Sequence, residues 1–141
     1  MISRLGLIVG NATTMSVRIV LADDHEVVRQ GVRRFLETQP SIQICGEAAN
    51  GQEAVEKALS LKPDIVILDL SMPVMNGVEA TRQIRQLVPS AKIIVFSMHD
   101  FAQLAETVKQ AGADAYVSKS TQVDKLYQAI RSVLDNGEKH A

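Results

Sequence analysis

Tryptophan is missing from this chain of 141 residues, and two tyrosines, three phenylalanines, four prolines and one cysteine are all that it holds of those types. Each scarcity excludes something. A lone Cys45 cannot close an internal disulfide and fits a reducing cytoplasm. It lies in the apolar segment Ile42–Cys45 with no cation nearby in sequence, which predicts a buried structural thiol and not a nucleophile. Excess charge of either sign is also absent: 15 basic against 16 acidic residues leave a net charge of -1, so no field for nucleic acid is evident. Pairs such as Arg33-Arg34 read as solvated helix faces.

No apolar run approaches the ~20 residues of a membrane span. The opening MISRLGLIVGNATTMS has one arginine and a short apolar patch. It lacks the long apolar core and small-residue cleavage site of a signal peptide. Residues 1–16 are therefore expected to be a poorly ordered leader, or to arise from an upstream start codon. Residues 17–136 are expected to form one domain, and 137–141 a tail or the start of an interdomain linker.

What the chain has is a regular alternation. Val17–Ala22, Ile42–Ala49, Ile65–Leu68, Ile93–Phe96 and Ala115–Val117 read as five short strands. Helical periodicity separates them. Val27, Val28, Val32, Phe35 and Leu36 make one face before Pro40, and Asn50 with Glu53 opens a helix through Leu61. Asn76 with Glu79 opens a third helix, carrying Val78, Ile84 and Leu87. Asp100 caps a fourth, with Phe101, Leu104, Ala105 and Val108 inward and Gly112 as its stop. The fifth runs from about Thr121 to Leu134 and ends at Asn136-Gly137. The fold class is thus α/β, (βα)5: a five-stranded parallel sheet in the flavodoxin-like order 2-1-3-4-5, with helices on both faces.

Four polar points each follow an apolar run: Asp23-Asp24, Asp69, Ser97 and Lys119. In the expected order they meet on one rim, the rim where open α/β sheets bind ligands. Three neighbouring carboxylates repel one another unless a cation intervenes, and Mg²⁺ takes such hard oxygens together with phosphoryl oxygens. An aspartate carboxylate can attack phosphorus to give an acyl phosphate. Lys119 supplies a counter-charge and Ser97 a hydroxyl for a phosphoryl oxygen. Taken singly, each has a plainer account: Asp23 or Asp24 as a helix cap, Asp69 as a turn former, Ser97 as a loop hydroxyl, Lys119 as a surface cation. Four such accidents on one rim are a poor joint explanation.

The stretches VRIVLADDHEVVRQGV, PDIVILDLSMPVMNGVEA, KIIVFSMHD and GADAYVSK, in this order, resemble the receiver domain of bacterial two-component response regulators. The likeness runs from about Val17 to Leu134, and ADDHEVVR most resembles the NarL/FixJ (LuxR-type) branch. It implies that Asp69 is the phosphoacceptor. It implies that Asp24 binds Mg²⁺ directly, Asp23 through a coordinated water and Ser71 through its backbone carbonyl. By the same resemblance Lys119 pairs with the acceptor, Ser97 is the switch hydroxyl and Tyr116 the aromatic switch residue. For Tyr116 a half-buried strand aromatic fits equally well. Ser71 and His99 fall where the family tunes phosphate lifetime. The implied function is a phosphorylation-dependent signalling switch and not an enzyme. It would be driven by a sensor histidine kinase and read out through the surface of helix 4, strand 5 and helix 5. Homodimerisation and a C-terminal helix-turn-helix, absent here, would connect it to DNA.

Two departures stand out. Many receivers carry proline after the lysine with a cis bond; here Ser120 follows, so a trans Lys119–Ser120 bond is expected. No effector follows, and Asn136–His140 resembles the opening of a linker, which favours a cut receiver over a stand-alone one. A phosphatase of the haloacid-dehalogenase type would want a second aspartate where Ser71 stands. A flavin or nucleotide module would want a glycine-rich loop where Asp23-Asp24-His25 stands.

Overall fold

The computed structural model describes residues 16–98, 102–120 and 123–139. Strands β1 (Val17–Ala22), β2 (Ile42–Ala48), β3 (Ile65–Leu68), β4 (Lys92–Ser97) and β5 (Ala115–Ser118) alternate with five helices. These are α1 (Glu26–Glu37), α2 (Gly51–Leu61), α3 (Gly77–Leu87), α4 (Ala102–Ala111) and α5 (Val123–Lys139). All strand pairs are parallel and the order is β2-β1-β3-β4-β5, as expected.

The period-2 alternation of strands divides the core into two layers. Val66 and Leu68 of β3 face Ala54, Ala58, Ile84 and Val108 from α2, α3 and α4. Ile65 and Ile67 face Leu36, Leu126 and Ile130 from α1 and α5. All four β3 residues are fully buried, which explains an apolar run without polar alternation.

Local signals place several helix ends. The side chains of Asn50 and Asn76 accept hydrogen bonds from Glu53 and Glu79 nitrogens, at 2.8 Å and 3.0 Å. Gly112 follows α4 with φ of 119°, a conformation that glycine reaches without strain. The Lys119–Ser120 bond is trans.

Several expectations need correction. Val27 lies a residue off the inward stripe of half-buried Val28 and buried Val32 and Leu36 and is 82% exposed. Leu87 is likewise half exposed. Helix α5 does not stop at Asn136-Gly137 but runs through to Lys139. A helix tolerates an internal glycine at a cost of ~1 kcal/mol, so the pair is a weak stop signal. Cys45 is only partly buried; β2 pairs Ile44 with Ile19 and then Gly46 with Val20, leaving Cys45 as the extra residue of a bulge. Residues 1–15 of the expected leader (1–16), His99, the Asp100 cap with Phe101, and Thr121 lie outside the described residues.

Candidate functional site

The ladder continues past the strands and carries the polar residues with it. Asp23 donates its N–H to Ala48 O (3.0 Å), Asp69 to Ala22 O (3.1 Å) and Lys119 to Ser97 O (2.7 Å). Because Ala22 and Leu68 are register partners, Asp23 and Asp69 leave adjacent strands side by side. Ser97 closes β4 against Ser118, one residue short of Lys119.

Asp23, Asp69 and Ser97 are buried although polar, at 4%, 5% and 0% exposure. Buried charge needs compensation, and Lys119 provides it. Its side chain is itself buried, with Nζ 2.5 Å from Asp23 Oδ2 and 3.4 Å from Asp69 Oδ2. Its Nζ also lies over the Phe96 ring, 5.8 Å from the centroid. One ammonium faces two carboxylates, and Asp24 adds a third, less buried one. Burial pushes the Asp69 carboxyl above its ordinary range; Lys119 opposes this, and the Asp23 charge adds to it. The Asp69 side chain also accepts the Leu70 N–H at 2.8 Å.

Oxygens of Asp23, Asp24 and Asp69 and a nitrogen of His25 all lie within 4.8 Å of one another. Three carboxylates against one ammonium suit a hard divalent cation. Neither aspartate caps α1: the N-cap is His25, without a side-chain capping bond, and Asp23 Oδ1 accepts the His25 N–H instead (2.9 Å). A cleft of about 320 Å³, large enough for a phosphoryl group, opens beside the cluster between Asp69, Ser71, Ser97 and Lys119.

The loop after Asp69 is shaped by close approach. A Cβ on Gly77 would sit 2.2 Å from Asp69 O, so glycine lets the start of α3 pack under the aspartate. Val74 has φ of 70° with Met75 N bonded to Pro73 O at 2.7 Å, a tight turn that a β-branched residue enters only under strain.

Tyr116 stands apart from the cluster. It is half-buried on β5 and lines a different cavity, with Ala105 and Val108 of α4. Sequence reasoning missed two residues. His25 places Nδ1 3.1 Å from Asp24 Oδ1, and its position directly after the acidic pair was the available signal. Arg29 donates to the Asp23 carbonyl at 2.6 Å, and nothing local in the sequence announces a contact six residues apart across a turn.

A family model for the response regulator receiver domain matches residues 19–131. The chain is 36% identical over 121 residues to the transcriptional regulatory protein DegU of Brevibacillus brevis, covering 86% of this chain and 51% of that protein. It is 38% identical over 117 residues to the response regulator VraR of Staphylococcus aureus, covering 83% and 56%. The match thus spans about half the length of these relatives. A solved two-component response regulator of the LuxR family from Aurantimonas sp. SI85-9A1 superposes with a TM-score of 0.83 at 42% identity, covering 86% of each chain. Since the matched segment holds the whole rim from Asp23 to Lys119, fold and relatives lead to one conclusion: the chain belongs to the response regulator receiver domain family, in its LuxR-type branch.

Proposed function

We propose that this domain is a phosphorylation-dependent switch in which Asp69 accepts a phosphoryl group from a sensor histidine kinase. The observation that carries this reading is Lys119 Nζ held between two buried carboxylates, 2.5 Å from Asp23 and 3.4 Å from Asp69, at an open cleft. An Asp69 oxygen attacks phosphorus, the bond from phosphorus to the donor atom breaks, and the donor keeps the electron pair. Asp23, Asp24 and Asp69 fit Mg²⁺ by their donor chemistry, and by the family resemblance Ser71 would add its backbone carbonyl. Bound there, Mg²⁺ supplies positive charge for the phosphoryl oxygens. Lys119 then turns from Asp23 towards the new dianion, and Ser97, buried at the end of β4, donates its hydroxyl to a phosphoryl oxygen.

The readout runs from Ser97 to Tyr116. Tyr116 pairs with Val95 across the β4–β5 ladder and borders the cavity beside α4, so a shift of β4 changes the room available to its ring. A coupling of about 1–3 kcal/mol moves populations about 5–150-fold. In a full-length regulator the α4–β5–α5 surface would control homodimerisation, and DNA would be reached through a helix-turn-helix domain. The domain itself is a switch and not an enzyme. No described helix is long and apolar enough to cross a membrane. A switch driven by a sensor histidine kinase would work in the cytoplasm.

Incubation with acetyl phosphate and Mg²⁺ followed by intact-mass measurement tests the reading. One phosphoryl adduct, dependent on Mg²⁺ and absent from Asp69→Ala, is expected. An adduct that persists in Asp69→Ala overturns the assignment.

A further inference from the structure

Asp23 is the first residue beyond β1, and its backbone is held from two sides. Its N–H still belongs to the sheet, donating to Ala48 O. Its carbonyl has left the ladder and accepts from Arg29 Nη1 at 2.6 Å. The same guanidinium donates through Nε to Glu47 Oε1 at 2.8 Å, and Glu47 is the β2 residue paired with Leu21. Arg29 is largely buried, its side chain 16% exposed. Burial disfavours the Glu47 charge, but Arg29 and Arg33 outweigh it and hold the carboxyl below the usual range. One planar fork therefore spans α1, the end of β2 and the peptide between Asp23 and Asp24.

We propose that Arg29 is a positioning residue for the acidic loop: by anchoring the Asp23 carbonyl to Glu47 it sets the angle at which Asp23 and Asp24 present their carboxylates to a divalent cation. This rests on reading the acidic cluster as a Mg²⁺ pocket. Loss of a group that orients a metal ligand from behind typically costs about ten- to a hundredfold in metal affinity. A purely electrostatic role makes the opposite prediction, because removing a cation beside three carboxylates would tighten Mg²⁺ binding.

Calorimetric titration of Mg²⁺ into the unphosphorylated chain separates the two. Arg29→Ala is expected to weaken binding about tenfold, as loss of an orienting partner does elsewhere. The weakening should persist in about 0.5 M KCl, where charge effects beyond a few ångströms are screened. Arg33→Ala is the control, because Arg33 also bonds Glu47 but reaches Glu37 in place of the acidic loop. It should leave affinity within about twofold of the parent, as rim charges usually do. Arg29→Lys keeps the charge without the fork, should fold even where the alanine variant does not, and should also bind more weakly. Unchanged or tighter binding in the Arg29 variants, or equal weakening in Arg33→Ala, overturns the proposal. A parent chain that takes up no Mg²⁺ overturns the pocket reading and this inference together; a binding parent with indifferent Arg29 variants overturns this inference alone.

Discussion

Asp69 carries opposing demands, since burial resists its ionisation while Lys119 favours it. Its folded-state carboxyl lies above the ordinary range, so the native chain holds this proton more tightly than the unfolded chain does. Stability linked to it is therefore greatest at low pH. It is lost as pH rises from the ordinary aspartate value, about 3.9, through the raised folded value. At neutral pH and without metal the full cost is present. Asp69→Asn removes the charge with little change of shape. In EDTA at pH 7 it should melt above the parent, the gap closing as pH falls towards about 4. A lower melting temperature for Asp69→Asn at pH 7 would show that the Lys119 attraction exceeds the burial penalty. The unfavourable charge thus located is what a cation would relieve.

At the scale of elements, the end of the sheet away from the cleft is fastened by Arg85 on α3. Its guanidinium donates to Gly112 O, Pro89 O and Ala91 O, each at 3.0 Å, and to Asp114 Oδ2 at 2.6 Å. The same Asp114 oxygen accepts the Ile93 N–H at 2.8 Å. One side chain thereby ties α3 to the starts of β4 and β5. Arg85→Ala should cost about 2–3 kcal/mol by urea unfolding, since part-buried acceptors lose a charged donor. Acetyl-phosphate labelling of the folded fraction should stay unchanged; a slowed reaction would show that the two ends of the sheet are coupled. Arg85 also marks where sequence reasoning stops. Strands, Asn-Glu caps and the Asp-Asp, Asp, Ser and Lys points were legible because each is a local pattern or the end of one. The Arg85 cluster, the Arg29 fork and the strained Val74 turn were not. Two depend on contacts across the fold, and valine gives no hint of positive φ. Val27 misled for the opposite reason: an apolar residue beside a helical stripe was counted as part of it.

At the scale of the whole molecule, strand order turns these local patterns into a site. Placing β1 between β2 and β3 sets Asp23 next to Asp69, and β4 with β5 brings Ser97 and Lys119 to the same rim. The order was legible because short connections and right-handed crossovers leave few alternatives for five βα units. Its consequence is that the folded state alone gathers the carboxylates; unfolding scatters them. A cation that binds the cluster must then stabilise the fold as a whole, by an amount set by its concentration relative to its dissociation constant. At a hundredfold excess over that constant, the gain is about 2.7 kcal/mol, or roughly 10 °C in melting temperature for a domain of this size. Scanning calorimetry with rising Mg²⁺ should show that increase in the parent chain. It should be much reduced in Asp24→Asn, which keeps Asp23, Asp69 and Lys119 but loses the carboxylate most open to solvent among the three. Matching concentrations of K⁺ should not reproduce it, because a monovalent ion cannot offset three converging charges. A melting temperature indifferent to Mg²⁺ would mean that Lys119 already satisfies the cluster. The rim would then be a buried ion-pair network and not a cation pocket.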